Sequence, residues 1–345
     1  MSALTDRLGM RIPLVAAPMA GGGTTPALAA AAAAAGAYPF LAGGYLAPDA
    51  LAERIAELRR TTDRFGVNLF APNPVPVDPR RYAAYADRIR PDADRLGATL
   101  PPAPVEDDDA WAAKLDVLLA ERPEVASFTF GIPPAGALAA LRRAGVTLLQ
   151  TVTSADEARA AVDAGVDGLV VQASAAGGHW GTLTPGRPPE QLALPELVRA
   201  VRDAVSRGAA DLPIVAAGGV GGPSDVRAAL EAGASAVAVG TLLLRSDESG
   251  ASATHRAALA DPRFTRTALT RAFTGRPARG LVNAFLSANE DAPLGYPALH
   301  HLTSGMRKAA AAAGDADRVH LWAGTGWQSA ASLPAATILT TLAAF

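Results

Sequence analysis

Eight short apolar runs recur along the chain, each leading into a small-residue or polar loop and then a helical pattern. They are LVAAPMA (14–20), AYPFLAG (37–43), RFGVNLF (64–70), VASFTFG (125–131), VTLLQTV (146–152), DGLVVQ (167–172), LPIVAAGGV (212–220) and SAVAVGTLLL (235–244). Continuous apolar runs of this length suit strands buried on both faces of a parallel sheet. The stretches between them carry helix signals. Pro48-Asp49 opens LAERIAELRR, and Ser154 opens SADEARAAVDAG, with Glu157 placed for a capping box and Gly165 as the stop. Gly222-Pro223 opens GGPSDVRAALEAG, with proline at the first helical position and Gly233 at the end. Eight strands alternating with helices predict an α/β chain folded as a (β/α)8 TIM barrel; a doubly wound sheet is the alternative.

Two segments exceed a minimal barrel. Residues 71–122, after the third run, hold two helical patterns and the connector PPAPVEDDD, and read as a helical insertion. Residues 251–345 follow the eighth run and read as a C-terminal helical extension, a lid or second lobe packing on the barrel formed by residues 1–250.

The uncharged stretch between Arg11 and Asp49 imitates a signal peptide, but Pro13, Pro18, Gly21–Gly23, Pro26 and Pro39 interrupt it. It reads instead as two buried strands and a helix. A net charge of −2 with interspersed signs argues against a nucleic-acid or membrane partner. The lack of cysteine removes disulfides, thiolate metal sites, iron–sulfur clusters and cysteine nucleophiles, and fits a cytoplasmic location.

Chemistry in such barrels sits at the C-terminal strand ends, with phosphate often bound after strands seven and eight. The seventh run ends AAGGVGGPSD (216–225), with Gly218 and Gly219 before a helix start, and the eighth carries Gly240-Thr241. Glycines admit backbone N–H groups to a phosphate, a helix N-terminus favours its charge, and a threonine hydroxyl can donate to it. Met19, Asn68 and Gln172 fall at other strand ends, and an amide there can both donate and accept. In VVQASAAGGHWG (170–181), Gly177 and Gly178 would let a planar ligand lie on bare backbone beside His179, whose ring suits proton transfer. The other histidines, His255, His300, His301 and His320, show no metal-ligand spacing, so no metal site is expected.

Together IPLVAAPMAGG (12–22), FGVNLF (65–70), VVQASAAGGHWG (170–181), AAGGVGGPSDVRAALEAGASAVAVGTLLL (216–244), YPALHHLTSGMR (296–307) and LWAGTGW (321–327) resemble class I nitronate monooxygenases, formerly called 2-nitropropane dioxygenases. The resemblance implies an FMN-binding barrel whose flavin is contacted by Met19, Asn68, Gln172, Gly177, Gly219, Gly240 and Thr241, with His179 at its reactive edge as a base. It also implies a substrate pocket near Tyr296 and His301. The implied reaction is oxidation of alkyl nitronates with O2 to carbonyl compounds and nitrite, through a flavin semiquinone, by a monomer or homodimer. Two alternatives stand beside it: an NAD(P)H-dependent FMN reductase of enoyl thioesters or quinones, and a flavin-binding module without catalysis. The chain departs from the family's Q-G-x-E-A-G-G-H pattern with Ala173 for glycine and Ala175 for glutamate.

Overall fold

A computed structural model describes residues 3–209 and 211–345. Its strands are β1 (Leu14–Ala16), β2 (Tyr38–Ala42), β3 (Gly66–Phe70), β4 (Val125–Thr129), β5 (Thr147–Val152), β6 (Gly168–Gln172), β7 (Gly178–His179), β8 (Ile214–Ala217), β9 (Ala236–Val239), β10 (Thr267–Thr270) and β11 (Ala278–Leu281). Eight form a closed parallel barrel in the order β1-β2-β3-β4-β5-β6-β8-β9. The ring closes where Leu14, Val15 and Ala16 register against Val237, Ala238 and Val239. Each of the eight apolar runs supplies one barrel strand, and closure excludes the doubly wound alternative.

The runs are apolar throughout because both faces of each strand are covered. Inward, Val15, Tyr38, Phe40, Val125, Leu149 and Val215 fill the barrel, with Leu4, Leu8 and Met10 in the same cluster. The short helix Ala3–Arg7 thus plugs the N-terminal end. Outward, strand residues meet the helices, as where Leu169, Val171 and Val237 join Leu28, Val198 and Val226. The alanine run is the helix Pro26–Ala35, started by Thr25, whose hydroxyl accepts from Leu28 N at 2.9 Å, and stopped at Gly36 with φ 89°.

The two excursions divide by partner. In 71–122, the helix Trp111–Glu121 packs Leu118 among Leu51, Ile55 and Phe128, and serves as the barrel helix between β3 and β4. Only the helix Pro79–Arg95 leaves the barrel; its Tyr82, Tyr85 and Ile89 pack with Phe273, Leu299, Leu302 and Met306. Within 251–345, the last helix, Ala335–Leu342, returns to the barrel wall through Leu339 and Leu342 beside Leu28, Val226 and Ala229. The segment expected to be an extension therefore contains the helix that completes the eighth β/α unit.

The rest of the extension forms a cap, and it is not purely helical. β10, β11 and β7 make an antiparallel sheet in the order β10-β11-β7. Because β7 lies in the connection between β6 and β8, this sheet ties the cap to the rim of the barrel. Among the described residues, no helix is long and apolar enough to cross a membrane.

Candidate functional site

A cavity of about 540 Å³ lies between the C-terminal strand ends and the cap. Met19, Asn68, Gln172, Gly177, Gly178, His179, Gly218, Gly219, Gly240 and Thr241 all line it. Tyr296 stands just behind the lining, its ring 5.3 Å from Phe130 and 5.9 Å from His179, its hydroxyl donating to Tyr45 at 3.3 Å. His301 is the exception: it turns away to Asp107, with Nε2 2.5 Å from the carboxylate. Its neighbour His300 faces the cavity and stacks on Tyr45 at 4.2 Å and 4°. Successive helical residues point about 100° apart, so one of the pair must look away.

At one end of the cavity is a cradle of backbone. Gly218 and Gly219 have φ of 109° and 80°, a left-handed backbone that side chains disfavour. A β-carbon on Gly218 would lie 2.9 Å from Ala176 N, and one on Gly177 only 2.5 Å from Gly324 N. Gly324 N also donates to Thr241 Oγ1 at 3.0 Å, which leaves that hydroxyl's own proton to donate. The adjacent helix contributes less than its position suggests. Asp225, in the first turn of Pro223–Glu231, takes the amides of Gly221 and Gly222 at 2.8 and 3.1 Å. An anion here would be held by the earlier amides and Thr241. Gly324 and Gly326 also line the cavity; their signal was the glycine-threonine-glycine of LWAGTGW.

The loop between β6 and β7 is held without the family's glutamate. Arg279 Nε donates to Ser174 O at 2.6 Å, Thr325 N to Ala175 O at 3.0 Å, and Gln172 Nε2 to His179 O at 3.1 Å. Ala175 lies against the cradle: a β-carbon on Gly219 would be 3.0 Å from its own. Glu157 is not the partner of a reciprocal capping box. Ser154 Oγ accepts from Glu157 N at 3.3 Å, but the carboxylate takes Thr153 N at 2.7 Å and Leu183 N at 2.7 Å. It thereby joins the β5 end to the segment after β7.

His179 sits on β7, with β11 paired alongside, rather than on a free loop. Its Nε2 is 2.9 Å from Thr274 Oγ1, whose proton goes to Arg276 O at 3.2 Å. The hydroxyl therefore accepts from the ring, fixing the Nε2–H tautomer and leaving the Nδ1 lone pair. Nδ1 has no partner among the described residues and is not among the occluded unpartnered atoms, so it opens on the cavity that the ring lines. Burial first, then the charges of Arg276 and Arg307, push the ring's pKa down to about 3. It is a neutral acceptor at physiological pH.

Asn68 is oriented in a similar way: Nδ2 donates to Ser127 Oγ at 2.9 Å and Thr129 Oγ1 at 3.0 Å, leaving Oδ1 as acceptor. Among the described residues, those lining the cavity include Arg307 and Lys308 but no aspartate or glutamate. Arg276 lies behind the wall, fully buried, its guanidinium 4.0 Å from the Phe130 ring centroid. Burial lowers both Arg276 and Arg307 to about 10, so both stay charged at neutrality. The site is thus a positive, aromatic-walled cavity with a neutral imidazole acceptor and a glycine-rich backbone wall. Such a cavity fits a planar cofactor ending in phosphate, with an electron-rich substrate beside it.

Comparison with known proteins identifies relatives of the chain. The family model described as nitronate monooxygenase matches residues 2–344. A nitronate monooxygenase from Pseudomonas aeruginosa is 40% identical, over 98% of both chains. A probable nitronate monooxygenase from Bacillus subtilis is 34% identical, over 95% of this chain and 94% of its own. Among solved structures, a nitroalkane oxidase from Streptomyces ansochromogenes superposes with a TM-score of 0.91 at 46% identity, covering 99% of this chain and 97% of its own. FabK from Thermotoga maritima superposes at 0.74 and 25% identity, covering 99% and 94%. With a matching family model over essentially its whole length and relatives this similar, the chain belongs to the nitronate monooxygenase family.

Proposed function

We propose that this oxidoreductase binds FMN in the cavity and oxidises alkyl nitronates, and nitroalkanes after their deprotonation, with O2 to a carbonyl compound and nitrite. One observation carries the reading: a glycine cradle that excludes side chains and an open imidazole lone pair face the same cavity. Gly218, Gly219, Gly240 and Thr241 would hold the phosphate, and Met19, Asn68, Gln172 and Gly177 the ring system. Bound there, FMN supplies electron acceptance and reaction with oxygen.

The chain's own residues do the rest. Phe130, Trp322 and Tyr45 enclose the reacting end with apolar surface, raising the strength of every polar contact inside. His179 Nδ1 takes the proton from the carbon bearing a neutral nitro group, while Thr274 holds the other ring nitrogen and fixes the ring's direction. A nitronate has already lost that proton, so His179 only lines its site.

The visible spectrum of the purified protein, mixed anaerobically with an alkyl nitronate, tests the reading. A flavin spectrum that responds to nitronate, followed by nitrite release on admitting air, is the expected result. Bleaching by NADH or NADPH with no response to nitronate would replace it with the flavin-reductase alternative. Protein free of flavin that cannot be loaded with FMN would end both.

A further inference from the structure

Four of the five histidines line the cavity: His179, His255, His300 and His320. Only His179 has a part in the chemistry above. Two of the other three, His300 and His320, adjoin Arg307, a buried guanidinium with no carboxylate partner among the described residues. Its bonds run to Thr303 Oγ1 from Nε (2.9 Å), to His320 Nδ1 from Nη1 (3.3 Å), and from Nη2 to His300 Nδ1 (3.2 Å) and His300 O (3.0 Å).

Hydrogen-bond chemistry fixes what these contacts mean. A guanidinium has five N–H donors and no acceptor, so each imidazole nitrogen facing it must present a lone pair. A neutral imidazole accepting at Nδ1 carries its proton at Nε2. His300 and His320 are thus held as Nε2–H donors, and neither Nε2 has a partner among the described residues or is occluded. The tautomers of the other two histidines are opposite in use. His255 Nε2 donates to Trp322 O at 2.9 Å, and His179 Nε2 to Thr274, so each of these leaves an Nδ1 acceptor. The cavity wall therefore carries two imidazole donors backed by a positive charge, and two imidazole acceptors.

Resting on the functional reading above, we propose that Arg307 is a positioning residue that fixes His300 and His320 as paired Nε2–H donors, and that these receive the two oxygens of the substrate's nitro or nitronate group. The group is planar and carries its negative charge on those oxygens, so two neutral donors in front of a buried cation suit it. The arrangement would leave the substrate's α-carbon free for the His179 lone pair. Tyr45, stacked on His300 and bonded to Tyr296, holds one donor ring in its plane.

Nitrate, a planar oxyanion that is neither oxidised nor deprotonated, separates this inference from the oxidation itself. Histidine-selective 15N NMR of the FMN-loaded protein reads each tautomer directly. The expected result is that His300 and His320 carry the proton at Nε2, and that nitrate titration moves these two Nε2–H signals. Arg307→Met should scramble both tautomers and weaken nitrate binding by roughly 10-fold or more, the worth of a charge-assisted contact. His320→Gln, which keeps an N–H donor on a similar reach, should retain more nitrate affinity than His320→Leu. Nδ1-protonated or doubly protonated rings in the wild type would overturn the proposal even if Arg307→Met failed to fold. So would nitrate that leaves both signals unmoved. Failure of nitronate oxidation with tautomers and nitrate binding intact would count against the functional reading alone.

Discussion

At the scale of single residues the site is made by atoms denied other partners. His179 is expected to matter only where a proton must leave carbon. His179→Ala should lower kcat/KM for a neutral nitroalkane by roughly 10²–10⁴-fold, the usual worth of a positioned general base, while the nitronate changes only a few-fold. Steady-state rates on the two forms of one compound check it, and equal losses would remove His179 as the base. Gly177 is the sharpest steric test of the loop beside the flavin, because a β-carbon there would meet Gly324 N at 2.5 Å, a backbone atom that makes way only if the loop shifts. Gly177→Ala should yield folded protein that has lost most of its flavin absorbance relative to the protein band. Retention of a full complement would show that the flavin ring does not lie against this part of the loop. Both positions were legible in AAGGHWG, since a glycine pair beside a titratable ring has a recognisable physical use. His301 misled because adjacency in sequence conceals helical phase. His300, Ser304, Arg307, Lys308 and Ala311 line the cavity at helical spacing, while Leu299, Leu302, Met306 and Ala310 are buried. That phase was present in YPALHHLTSGMRKAA, but choosing which face meets the cavity needs the packed cap.

At the scale of elements, local pattern identified strands and helices but not their partners. The barrel strands stood out because a doubly covered strand must be apolar at nearly every position. β7 did not: two residues, Gly178 and His179, are strand only because β11, about a hundred residues later, lies beside them. Likewise, amphipathic character cannot say that Trp111–Glu121 belongs to the barrel and Pro79–Arg95 to the cap, or that Ala335–Leu342 returns to close the barrel wall. This last assignment makes a prediction. Leu339 is completely buried among barrel residues, so Leu339→Ala should destabilise the fold by about 2–4 kcal/mol, the cost of such a core truncation. Urea unfolding measures this, and flavin content should be unchanged in the folded variant. A cost below about 1 kcal/mol would mean that the last helix is not part of the barrel core.

At the scale of the whole molecule, a cavity lined with neutral histidines makes the fold sensitive to acid. Burial is the first cause of the depressed pKa at each ring: His179 titrates near 3 and His255 near 4, and His300 and His320 are also pushed down, with Arg307 adding to the effect at both. In the unfolded chain these rings titrate near 6.5, so between those values the unfolded state binds more protons. The stability they permit is complete above about pH 6.5 and is lost as pH falls toward 4. Allowing for water in the open cavity, the loss by pH 5 is on the order of 1 kcal/mol per ring. Thermal melting from pH 7.5 to 4.5 should show a steep fall, flattened in His255→Asn; a melting temperature that holds or rises on acidification contradicts the assignment. By itself, the sequence determined the barrel and the glycines and amides at its C-terminal strand ends, because apolar runs, turns and strand ends are local features written in consecutive residues. Only the tertiary structure decided that the cap closes with a strand through His179, that His300 rather than His301 enters, and that Arg307 stands behind the donors. Those outcomes depend on which distant surfaces bury one another and on which polar atoms are then left without a partner.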